Sequence, residues 1–172
     1  MPDLSAFSFP IAFTLFSIGI ILLSKKKASE WVGEKPSFTH LIPILIIAAQ
    51  LLLLGVGIDL LSTALGVNDT QEVDNAIEGL NREPLMGVLS LGVGALGEEL
   101  FFRGILQTAA GPIPSSLIFG LFHAGYDSII QIIGSFLAGL LLCRARGMNR
   151  SIFPGMGGHF LYNAIIVFTW GG

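Results

Sequence analysis

The stretch 97-GEELFFRG-104 interrupts an apolar run, with LMGVLSLGVGAL before it (residues 85–96) and ILQTAAG after it (residues 105–111). Glu98, Glu99 and Arg103 therefore sit where burying charge is most unfavourable. A charged side chain at the centre of a spanning helix costs about 2.5–3.5 kcal/mol on an insertion scale. Such groups normally turn into the helix bundle and mark a functional site. Glu99 and Arg103 are spaced i,i+4, share one helix face and can pair. Glu98 lies roughly 100° round the helix and stays outside that pair. One glutamate thus reads as structural and the other as free.

The surrounding composition fits this setting. The 172 residues are 52% hydrophobic and 12% charged, about half the charged fraction of a soluble domain. Apolar runs at 7–23, 41–65, 85–110 and 151–170 have lengths near the roughly 17–25 residues of a spanning helix. The expected fold class is all-α, a polytopic transmembrane bundle in a lipid bilayer. About six membrane segments account for the pattern: 7–23, 39–65, 84–110, 115–124, 128–143 and 151–170. The fourth is too short to cross easily alone and could be re-entrant. Gly111-Pro112-Ile113-Pro114 breaks the chain before it, and Pro84 suits the first turn of the third.

Two parts are expected within one integrated membrane domain. Residues 1–83 would form N-terminal helices plus an acidic extracytoplasmic stretch, and 84–172 a catalytic helix core. The acidic stretch, 66–83, spaces Val73, Ile77 and Leu80 as a short interfacial amphipathic helix would. Lys25, Lys26, Lys27 and Lys35 mark the first loop as cytoplasmic, and Arg144, Arg146 and Arg150 mark the fifth likewise. Both termini then lie outside. Residues 1–10 carry only Asp3 as a charged side chain, so the first apolar run reads as a spanning helix rather than a cleaved signal. The lone Cys143 excludes an internal disulfide and a cysteine metal site. No nucleic-acid partner is expected.

Two further polar pairs interrupt apolar segments. Phe119 and His123 stand one turn apart in the fourth, and His159 and Asn163 share one face of the sixth. Counting 1.5 Å per residue from the basic ends puts Glu98 roughly 20 Å deep, His123 roughly 15 Å, His159 roughly 12 Å and Asn163 roughly 18 Å. All four can meet in one layer. A carboxylate and a histidine can hold and deprotonate a water. A second histidine and an amide can donate to the oxyanion of a tetrahedral intermediate. That set amounts to a water-activating amide hydrolase inside the membrane. A zinc-dependent variant would use Glu98, His123 and His159 as ligands, but no HExxH spacing supports it, and Asn163 suits an oxyanion better than a metal.

Glu98-Glu99-x-x-x-Arg103, Phe119-x-x-x-His123 and His159-x-x-x-Asn163 resemble, in order, the motifs of the CPBP family. These are type II CAAX prenyl endopeptidases and related bacteriocin-processing or immunity proteins, also called Abi proteins. The resemblance covers residues 85 to about 163. It implies that Glu98 and His123 activate the attacking water, that His159 and Asn163 form the oxyanion hole, and that Glu99 and Arg103 are structural support. It implies no required cofactor, with zinc as the alternative. The substrate would be a peptide or protein, prenylated or membrane-embedded. The location would be a prokaryotic cytoplasmic membrane, with the active site open to the cytoplasmic half. A non-catalytic immunity or partner-binding protein that kept the same core is the alternative outside enzymes.

The remaining polar residues have plainer readings. Gln50, Gln107 and Gln131 would bridge helices, and Asp59 would pair or cap locally. His40 marks a membrane boundary, and Tyr126-Asp127 a turn.

Overall fold

The computed structural model describes residues 5–67 and 69–170; Asp3 lies outside them. The described chain is helical, and no strand forms among its residues. Helix α1 is Ser5–Leu23, α2 is Ala28–Val32 and α3 is Leu41–Leu65, led by a 3-10 turn at Phe38–His40. Helix α4 is Gln71–Asn81 and α5 is Pro84–Glu98. A π-helical stretch, Glu99–Leu106, and α6, Gln107–Ala110, continue α5 without a break. Helix α7 is Pro112–Phe122, α8 is Ile129–Asn149 and α9 is Phe153–Trp170.

Three of these spans are long and apolar enough to cross a membrane: Phe38–Leu65, Leu85–Ala110 and Ile129–Asn149. The apolar helix Ser8–Leu23 is shorter. Helix α7, at 11 residues, rises roughly 16 Å and falls short of the bilayer core. The breaker acts as expected. Gly111 takes φ +89, which a glycine adopts without steric cost, and Pro112 opens α7 where its missing N–H is not needed. The turn at Tyr126-Asp127 is also present: a 3-10 turn, His123–Tyr126, ends on Asp127 in the left-handed region. Helix α2, inside the first basic loop, is an addition. Glu30 accepts from the Lys27 N–H at 2.8 Å to start it, and Trp31 buries against Ile21, Leu100 and Ile152.

Packing follows the small and hydroxyl residues. Helix α1 lies along α5, α3 along α9, and α7 along α8. Thr14 donates to the Val93 carbonyl at 3.0 Å, and Gly97 lets the two helices meet there, since a Cβ would stand 2.5 Å from Thr14 Oγ1. Gly97→Val is expected to destabilise the fold by about 1–3 kcal/mol through overpacking. Thermal unfolding in detergent measures this, and an unchanged midpoint would show that α1 gives way freely. Gln107 bridges helices as expected, donating to the Cys143 carbonyl at 3.1 Å.

Helix α4 forms over the predicted amphipathic stretch, with Val73 and Ile77 turned toward the bundle and Glu72, Asp74 and Glu78 exposed. Asp69 anchors the preceding loop. Its carboxylate accepts from Ser128 Oγ at 3.0 Å and from the Ile129 N–H at 2.6 Å, which satisfies the first orphan donors of α8.

Candidate active site

The site is built around the π-helical stretch. Such stretches are rare and cluster at functional positions, and here the wider turn carries Glu99 and Arg103. The carbonyls it displaces find partners in neighbouring helices. Ser115 Oγ donates to the Phe102 carbonyl at 2.6 Å, and the Arg146 guanidinium donates to the Arg103 carbonyl. Arg146 also donates to the Trp31 carbonyl at 3.0 Å and to Thr108 Oγ1 at 2.8 Å. One arginine of α8 thus fastens α2 and the irregular helix together at the basic end.

Glu99 and Arg103 are both fully buried, and Arg103 Nη1 stands 3.2 Å from Glu99 Oε1. The guanidinium also lies 4.2 Å from the Phe119 ring centre, a cation–π contact in a desolvated place. Its nitrogens make no hydrogen bond among the described residues, so attraction between charges and to the ring face holds it.

Glu99 has a second partner. His159 Nδ1 lies 3.3 Å from the same Oε1, while His159 Nε2 faces Glu98 Oε2 at 3.8 Å. Glu98 is less buried than Glu99, with 22% of its side chain exposed against 0%. That difference fits a carboxylate reachable by water beside one sealed in the bundle. The i,i+4 count links Glu99 to Arg103 and is silent on His159, because it cannot see across helices.

His123 ends α7 with Nδ1 at 2.8 Å from the Phe119 carbonyl. A carbonyl only accepts, so Nδ1 carries the hydrogen, and Nε2 of the neutral ring is left as an acceptor. Phe119 links the two histidines, its ring edge-on to His123 at 4.7 Å and to His159 at 6.2 Å. No hydrogen bond or ion pair joins Glu98 to His123 among the described residues. Tyr126, in the turn after α7, stacks on His123 at 6.2 Å. Burial raises its phenol above the ordinary 10.0, and the Glu98 carboxylate raises it further.

A cavity of about 230 Å³ brings His123, His159 and Asn163 onto one wall with Phe119. Volumes below roughly 300 Å³ are small for a whole ligand and suit a side chain of an extended substrate. From that wall the cavity runs between α3, α8 and α9 to Asp59, Thr70 and Asp74, under Val73 and Ile77 of α4. Among the described residues, no three His, Cys, Asp or Glu side chains gather as a metal-ligand group.

Apolar helices of spanning length around buried, interacting carboxylates and histidines fit a membrane protein with a polar cluster in its bundle. Residues 81–165 match the family model for the type II CAAX prenyl endopeptidase Rce1-like proteins. The match spans 85 of the chain's 172 residues and is consistent with the CPBP family. No curated protein and no solved structure gave a significant match. The match encloses all three motifs, from Glu98 to Asn163. The match supports, in general terms, a CAAX-protease-like intramembrane peptidase acting on a peptide or protein.

Proposed function

We propose that this chain is a glutamate-dependent intramembrane endopeptidase. A water held near Glu98 and the Nε2 edge of His123 gives its proton to the Glu98 carboxylate as it attacks the peptide carbonyl; collapse of the tetrahedral intermediate breaks the C–N bond, and Glu98 returns the proton to the leaving amine. His159 and Asn163, one turn apart on α9, donate to the oxyanion. The observation that carries this reading is the shared cavity wall of His123, His159 and Asn163, with Glu98 at 3.8 Å from His159. The remaining step, closing the gap between Glu98 and His123, falls to the substrate-bound state, since catalytic contacts are often long before substrate binds.

Six membrane segments complete the proposal, with α1, α7 and α9 joining the three long spans. By the positive-inside rule the ends carrying Lys25–Lys27 and Arg144–Arg150 are cytoplasmic. The part of the cavity lined by Asp59 and Asp74 then lies toward the outer side.

Peptides released from membranes carrying the wild-type protein, compared with those from an Asn163→Ala strain, test the oxyanion assignment. Once a cleaved peptide is known, Asn163→Ala is expected to lower kcat by about 10²–10³-fold with KM little changed, the loss of one oxyanion donor. An unchanged kcat would remove Asn163 from the mechanism.

A further inference from the structure

The contact between Glu99 and His159 takes that reading further. Arginine only donates hydrogen bonds, so Glu99 Oε1, 3.2 Å from Arg103 Nη1, acts there as an acceptor. His159 Nδ1, at 3.3 Å from Glu99 Oε1, must then carry a hydrogen. That leaves Nε2 as the edge turned to Glu98, at 3.8 Å, a gap that one water can bridge. Helix α9 leaves room for the carboxylate: a Cβ on Gly155 would stand 3.3 Å from Glu99 Oε2.

We propose that Glu99 is a positioning residue for hydrolysis, accepting the Nδ1 hydrogen of His159 and so aiming the Nε2 edge of the ring at Glu98 and the reacting carbonyl. Arg103 holds Glu99 Oε1 in place at 3.2 Å, and Phe119 supports both, lying against the guanidinium and edge-on to the His159 ring. The kinetic consequence rests on the catalytic reading above; the Nδ1 hydrogen bond does not.

The ring state is measured by nitrogen-15 NMR of histidine-labelled protein in micelles, with His159→Gln assigning the His159 signals. Wild-type protein is expected to show a hydrogen-bearing Nδ1 at His159, and a bare Nδ1 overturns the proposal at once. The double variant Glu99→Leu/Arg103→Met removes the acceptor without leaving a lone buried charge. Its His159 signals are expected to shift toward a ring with a bare Nδ1; signals identical to wild type overturn the proposal. Should the double variant yield too little protein, Gly155→Ala presses on the Glu99 carboxylate without changing any charge, and the same shift is expected there. In kinetics, the folded double variant is expected to lose about 100-fold in kcat, within the range for a misaligned acid–base group, with KM within about twofold. A pair that is only structural would leave kcat intact once folding is restored. Because NMR needs no substrate, a failed ring result refutes the positioning role alone, and cleavage surviving Glu98→Gln refutes the catalytic reading alone.

Discussion

Glu98→Gln is expected to abolish peptide release from membranes while the protein accumulates and folds as the wild type does. The amide keeps the size and most of the polarity of the carboxylate but cannot accept the proton of an attacking water. Losing a positioned general base costs about 10²–10⁴-fold. The half-buried position of Glu98, outside the Glu99–Arg103 pair, explains why folding should survive: neutralising it leaves no partner charge stranded. Comparing the peptides released by wild-type and Glu98→Gln membranes measures the effect and also reveals the substrate. An unchanged peptide set would sink the hydrolase reading and favour a binding protein that kept the family core. The same comparison with His123→Gln asks whether the second base acts with the first, since residues that act as a unit lose activity without additivity.

Much of this site was legible because the membrane makes polar residues conspicuous. Glu98, Glu99, Arg103, His123, His159 and Asn163 stood out against apolar sequence, and the i,i+4 rule found the Glu99–Arg103 pair that the fold contains at 3.2 Å. The amphipathic helix at Gln71–Asn81 and the break at Gly111 were equally plain, since each rests on local periodicity or backbone freedom. What stayed hidden depends on contacts between helices. The π-helical turn at Glu99–Leu106 has no local signature, because its displaced carbonyls are satisfied by Ser115 and Arg146 from other helices. The second partner of Glu99 comes from α9, and the cavity forms only where α3, α8 and α9 come together. Hydropathy also overstates the regularity of crossing: three helices have clear spanning length, while α7 does not.

Arg103→Met is expected to be the most damaging single change to stability. It keeps the length of the side chain but leaves the Glu99 carboxylate, which is fully buried, without its countercharge. Breaking a buried pair by removing one partner costs about 3–5 kcal/mol, a large share of the roughly 5–15 kcal/mol that holds a typical domain folded. Loss of the guanidinium from the Phe119 face adds to the deficit. Folded yield in detergent and the unfolding midpoint are the measurements. The double variant Glu99→Leu/Arg103→Met should recover most of that loss, because exchanging both ions for apolar groups of similar volume is often neutral or better. If the single variant is as stable as the wild type, the ion pair contributes little. If it is unstable and the double variant is stable but inactive, stability and catalysis separate at this one glutamate. Glu99 would then serve the fold through Arg103 and the reaction through His159.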